Sequence, residues 1–139
     1  MKSEPVVTSA RMIELGREES LALLASVPVG RVGFTVKALP VIRPVNHLVD
    51  GETVVIRTRA GSALARSTPV EEILVYEADQ LDPLTRTGWS VMITGRAVPV
   101  TDPAEAARFR DLLIPWAGED FDEVVRIRAD LVTGYRLTR

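Results

Sequence analysis

Cysteine is absent from the 139 residues, which excludes disulfides, thiolate chemistry and Cys-based zinc sites together. Histidine occurs once, as His47, so multi-histidine metal sites are excluded as well. The glycine-rich signatures of nucleotide sites, GxGxxG and GxxxxGK[ST], are missing. So is the GxSxG elbow of serine hydrolases, because "GWSVM" supplies Gly88 and Ser90 without a second glycine. No apolar run approaches the ~20 residues of a membrane helix, and "MKSEPVVTSARMIEL" has no long apolar segment of the kind that begins an export signal. Basic excess is missing too: a net charge of −2 argues against a general nucleic-acid binder. With 46% hydrophobic and 26% charged residues the composition is that of a globular chain able to bury a core. The expectation is one cytoplasmic domain over residues 1–139, with no membrane and no nucleic acid as partner.

What is present is a series of short strands punctuated by turns. "GREESLALLAS" predicts a helix with Gly16 as N-cap, Glu18 and Glu19 in the first turn, and Leu21, Leu24 and Ala25 as its apolar stripe. After Pro28, "GRVGFTV" and "LPVIRPVNHLV" read as strands joined at Lys37–Ala38, and Asp50-Gly51 reads as a tight turn into "ETVVIRTR". With Val49 opposite Glu52, that turn sets Arg43 across from Thr58, Pro44 across from Arg57 and Asn46 across from Val55. A short helix "GSALARS", a strand around "EILVYEA", a loop "DQLDPLTRTG" and a long strand "WSVMITGRAVPV" follow. Asp102, Pro103 and Glu105 start a further helix that buries Phe109, Leu112 and Leu113. "VVRIRADLVTGYRL" ends the chain as one or two strands around Asp130. The pattern predicts a mainly β, α+β fold: six or seven antiparallel strands in a barrel with two or three helices packed outside.

Three stretches stand out chemically. In "IRTRAGSALAR" a β-branched strand ends in Arg57 and Arg59 and runs into Gly61 and Ser62. A helix start there would offer unpaired N–H groups to an anion such as phosphate; equally, Gly61-Ser62 is an ordinary turn and cap. In "RTGWSV" Trp89 is either core or an aromatic plane beside polar donors. In "RPVNH" Arg43, Asn46 and His47 either face water or line a site.

Together, "PVGRVGF", "LPVIRPVNH", "DGETVVIRTRAGSALA", "DPLTRTGWSVMITGRA", the D-P-x-E helix and "VRIRADLVTGYRL" resemble the pyridoxamine 5′-phosphate oxidase-like proteins of the FMN-binding split-barrel superfamily, including its nitroimidazole-reductase-like branch. The resemblance runs from about Leu15 to Leu137. It implies a split barrel that forms a homodimer with FMN at the subunit interface. Pro44, Val45 and Asn46 would run beside the isoalloxazine ring, and Arg57 and Thr58 would contact the ring or ribityl chain. Ser62, Ala63 and Leu64 would hold the phosphate, while Trp89 and Ser90 would reach the cofactor from the second subunit. The implied activity is a flavin-dependent oxidoreductase passing hydride to a nitroaromatic, a quinone or a pyridoxal-type vitamer, with a nicotinamide or deazaflavin as reductant. The alternative is a binding protein for flavin or the deazaflavin F420 without turnover; haem is a further ligand of the superfamily. His47 is the candidate proton donor. One departure is visible: relatives commonly carry lysine in a "GSKL" pattern where this chain reads "GSAL", with Ala63, leaving Arg59 and Arg66 as substitute cations.

Overall fold

In the computed structural model, which describes residues 11–58, 72–116 and 123–139, the chain runs β1 (Arg11–Leu15), α1 (Arg17–Ala25), β2 (Val29–Val36), β3 (Leu39–Asp50), β4 (Thr53–Thr58), β5 (Ile73–Asp82), β6 (Thr87–Pro99), α2 (Pro103–Leu112), β7 (Glu123–Arg128) and β8 (Leu131–Thr138). The strands are antiparallel, in the order β1-β8-β6-β5-β2-β3-β4-β7, and an additional β6–β7 pairing closes six of them into a barrel. Two long strands change neighbours midway. β3 pairs with β2 through Asn46 and with β4 from His47 onward. β6 pairs with β8 through Thr94 and with β7 from Ala97. These changes of partner split the barrel. No helix among the described residues is long and apolar enough to cross a membrane.

Local chemistry explains most of the elements. Asp102 caps α2 by accepting from the Glu105 amide at 2.9 Å, with Pro103 in the first turn. Glu105 itself turns to Arg126, which also donates to Asp50 and Thr53 at 2.8 Å and lies over the Phe109 ring. One guanidinium thus ties α2, the β3–β4 hairpin and β7 together. Inside the barrel, Val32, Val54, Ile56, Leu74, Tyr76, Ile93 and Ile127 form the core. Outside it, α2 covers Val55 and Val124 with Ala106, Phe109 and Leu113. Burying a side chain such as Phe109 contributes about 1.5–3 kcal/mol.

Several expectations need correction. The β3–β4 turn consists of Gly51 and Glu52, flanked by the Asp50↔Thr53 pair, so Val49 faces Val54 and not Glu52. The error is two residues along one strand, which preserves which side chains share a face. Arg43 and Pro44 accordingly face Val32 and Arg31 of β2, and Val55 faces Leu48. The supposed loop after "EILVYEA" is mostly strand, because β5 continues to Asp82 and β6 starts at Thr87. Asp82 makes the short turn, accepting from the Leu84 amide at 2.9 Å with its side chain and from the Arg86 amide at 2.8 Å with its carbonyl. On α2, Leu112 points to solvent while Phe109 and Leu113 are buried. On α1, Ala25 is exposed and Ser20 is buried, its hydroxyl satisfied by the Gly16 carbonyl. β1 was not anticipated, and the expected "GSALARS" helix lies outside the described residues.

Candidate functional site

Where the β3–β4 ladder stops, at His47↔Ile56, the next rung would set Asn46 opposite Arg57. Instead β3 follows β2, with Asn46 opposite Val29, and β4 follows β7, with Arg57 opposite Val124 and Thr58 opposite Glu123. The end of α2 spans this parting. Arg57 donates to the carbonyls of Arg110 (3.1 Å) and Leu113 (2.8 Å), and the Asn46 side-chain amide donates to the Ile114 carbonyl (2.9 Å). A cation on the last carbonyls of a helix is favourably placed for both hydrogen bonding and the dipole. Thr58 is buried, and its hydroxyl has no hydrogen-bond partner among the described residues. An unpaired buried hydroxyl is costly. It is the one buried side-chain polar atom of the described residues left without a partner.

Pro44 and Asn46 alternate with Val45 along β3. The row Pro44–Arg31–Glu77–Met92 runs across four strands, which sets Pro44, Asn46 and, two residues before Met92, Ser90 on the outer face of the sheet. Trp89 takes the opposite face and is 5% exposed in the core. Its accessible edge lines an open groove of about 720 Å³ with Gln80, Gly88, Arg136 and Arg139. The fold therefore gathers Pro44, Val45, Asn46, Arg57 and Thr58 around the parting, while Trp89 and Ser90 sit on β6, separated from β3 by β5 and β2. Ser62, Ala63, Leu64, Arg59 and Arg66 lie outside the described residues.

His47 is buried between strands and α1. Its Nε2 lies 2.8 Å from the Leu24 carbonyl and its Nδ1 2.5 Å from the Tyr76 hydroxyl, with the two rings edge-on at 4.9 Å. Burial lowers its pKa below the ordinary 6.5, opposed by the Leu24 hydrogen bond. Burial also pushes the Tyr76 phenol well above its usual range. The imidazole thus has both nitrogens engaged in the protein interior, which gives it a structural place. Sequence reasoning passed over Tyr76, whose position in a plain apolar strand gives no hint of a partner 29 residues away. It also passed over Ile114 and Trp116, which are exposed and rim a groove of about 540 Å³ beside Pro28 and Asn46. The available signal was an apolar run, "LLIPW", continuing past the helix end at Leu112.

On the outer face, Arg31 reaches Glu77 (3.1 Å) and Asp79 (3.5 Å) amid Ile42, Val75 and Met92. Partial burial, followed by the adjacent Asp79, pushes the Glu77 carboxyl up to about 7, against the opposing pull of Arg31. The folded chain then holds this proton more tightly than the unfolded chain. The associated stability is present below about 4.5 and is lost as pH rises through 7. Glu77→Gln is expected to stabilise the protein at pH 8 by about 1 kcal/mol, after discounting for solvent screening, and to do nothing at pH 4. Denaturant titrations at the two pH values measure this directly.

Comparison with known proteins agrees with this architecture. The sequence profile of the family described as pyridoxamine 5′-phosphate oxidase matches residues 16–136. Uncharacterized protein Rv0080 of Mycobacterium tuberculosis is 50% identical over 134 residues, covering 93% of this chain and 88% of the relative. Among solved structures, a Corynebacterium glutamicum protein carrying the same family name superposes with a TM-score of 0.79 at 32% identity, covering 93% of this chain and 100% of that one. The FAD binding protein of Mycobacterium smegmatis superposes at 0.70 with 30% identity, covering 91% and 98%. With its barrel split at β3 and β6 and its sequence matched almost end to end, this chain belongs to the pyridoxamine 5′-phosphate oxidase family.

Proposed function

We propose that the protein is a flavin-dependent oxidoreductase that holds its flavin at the parting of β3 and β4, at a homodimer interface. The observation that carries the reading is the Thr58 hydroxyl, buried without a partner among the described residues where the two strands separate. A ligand with hydrogen-bonding groups along a planar ring or polyol chain would satisfy it. Pro44, Val45 and Asn46 would flank the ring, and Arg57 and Thr58 would hold its polar edge or the ribityl chain. Ser62, Ala63 and Leu64 would take the phosphate. Ser90 of a second copy, outward on β6, would complete the site, with Trp89 behind it in the core offering only the edge that lines its groove. Exposed Ile42 and Met92 on the same sheet face support burial against that copy. The relative from M. smegmatis binds FAD, so FMN, FAD and F420 are the ligands to compare.

A bound flavin supplies the two-electron chemistry, taking and giving hydride at N5. The chain's own residues bind, orient and exclude water. His47, the candidate proton donor, is enclosed in the protein interior with both ring nitrogens hydrogen-bonded and its pKa lowered by burial. That same observation favours a second reading, a flavin or F420 carrier without turnover. Anaerobic reduction of the loaded protein by NADPH, NADH or reduced F420, followed by mixing with a nitroaromatic or a quinone, separates the two. Reoxidation within seconds supports the enzyme, and persistence of the reduced cofactor supports the carrier. Sedimentation of a flavin-loaded monomer would contradict the dimeric site.

The sequence departure at Ala63 gives a further expected result. Ala63→Lys should restore the cation that relatives place beside the phosphate and tighten FMN several-fold, equivalent to about 1 kcal/mol for a partly exposed pair. The gain should shrink in high salt and be absent for riboflavin, as isothermal titration can show.

A further inference from the structure

We infer that Tyr76 and His47 are positioning residues for the proposed flavin site: together they form a hydrogen-bond relay whose direction reverses when the imidazole is protonated, and whose output is the Val45 carbonyl on the strand beside the flavin. The inference rests on the flavin reading above for its function, though not for its chemistry.

The proton count fixes the two states. The Leu24 carbonyl can only accept, so His47 Nε2, 2.8 Å away, carries hydrogen in both. With the imidazole neutral, Nδ1 must accept, and the phenol at 2.5 Å donates its single proton there. The Val45 carbonyl, 2.9 Å from the same phenol oxygen, then receives nothing from it. With the imidazole protonated, Nδ1 donates to the phenol oxygen, and the phenol proton turns to Val45. Protonation of a core histidine thus delivers a hydrogen bond to β3, one residue from Pro44 and Asn46.

The phenol is held in place for this. A methyl group at Gly30 would come within 2.6 Å of the Tyr76 ring and 2.5 Å of the Glu77 carbonyl, so β2 lies directly on the ring and prevents it from swinging away. The Gly30 backbone hydrogen bond also acts on the phenol oxygen. The neighbouring groups can be named element by element. α1 presents the Leu24 backbone to His47, and β4 presents Ile56 opposite it. Arg31 on β2 and Glu77 on β5 act on Tyr76, and Asp79 acts through Glu77. Because Glu77 titrates near 7 itself, the test uses a Glu77→Gln background.

In flavin-free Glu77→Gln protein, the 13C resonance of the Val45 carbonyl should shift with the same midpoint as the 15N resonances of the His47 ring, and should be flat after Tyr76→Phe. A Val45 carbonyl indifferent to His47 ionisation overturns the relay. FAD, whose pyrophosphate does not titrate in this range, is then bound across the same midpoint with FMN in parallel. If the Tyr76–Val45 bond forms better in the flavin-bound chain, as a positioning role requires, affinity should rise on acidification by up to about fivefold, the worth of one net hydrogen bond, and this rise should vanish in the Tyr76→Phe protein. An equal pH response with and without the phenol oxygen overturns the positioning role. Failure of both FMN and FAD to bind at any pH would sink the flavin site and this positioning role with it, while the Val45 shift would still decide the relay.

Discussion

Alanine at position 88 is expected to lower the melting temperature by roughly 10–20 °C, the consequence of about 3–5 kcal/mol lost at a chain of this size. Gly88 has φ +142, where L side chains are strained, and an added Cβ would stand 2.0 Å from the Gln80 carbonyl and 2.9 Å from Leu81 Cα. Both are backbone atoms of β5, paired to β6 through Leu81↔Gly88, so neither can rotate aside. Conformational strain of about 1–3 kcal/mol adds to a similar cost of overpacking. Against a total stability of about 5–15 kcal/mol, that is a severe loss. Gly33→Ala is the control: its Cβ would meet nothing closer than 3.7 Å, and the melt should barely move. Circular dichroism melts of the two variants decide the matter. A Gly88→Ala protein melting within a degree or two of the wild type would contradict the β5–β6 register and the placement of Trp89 beside it.

Thr58→Val is expected to act with opposite signs on stability and on binding. Valine matches threonine in shape without the hydroxyl. In the flavin-free protein, removing a buried group that has no partner among the described residues should stabilise by about 1 kcal/mol. With flavin present, the ligand loses the hydrogen bond proposed for that hydroxyl, and affinity should fall about tenfold. Thr58→Ser, which keeps the oxygen, should bind nearly as the wild type does. Denaturant titration of the free proteins and fluorescence titration with FMN and FAD supply both halves. If Thr58→Val destabilises the free protein, its hydroxyl already has a partner, and the argument for a ligand at this point fails.

Most of the barrel was legible in the sequence because its strands are short β-branched runs, and because Lys37–Ala38, the Asp102-Pro103 start and the Asp130 turn are local signals. The β3–β4 register was misplaced because two adjacent two-residue turns preserve the same alternation, and hydrophobic pattern cannot choose between them. β1 was invisible for a related reason: four of its five residues are exposed on an edge, so no buried face marks it. The polar end of β5, Asp79 to Asp82, read as loop because it runs beyond the core while still pairing with β6.

The site was legible unevenly. Asn46 and His47 were visible as polar residues in an apolar strand, yet their different fates depend on Ile114 and Tyr76, 68 and 29 residues away. Arg57 was visible as a cation at a strand end, but its bonds to the end of α2 are a product of tertiary packing. The unpaired state of the Thr58 hydroxyl among the described residues has no sequence signature, since it depends on tertiary packing around the end of β4.

The most direct measurement is a titration of the purified protein, first stripped of any ligand, with FMN, FAD and F420, following the fluorescence and visible absorption of each. The proposed site predicts saturable binding of a flavin at one equivalent per chain, with a perturbed visible band and an affinity lowered by Thr58→Val. Absence of saturable binding by FMN and FAD, or binding unaffected by any change at Asn46, Arg57 and Thr58, would contradict a flavin site at the parting of β3 and β4.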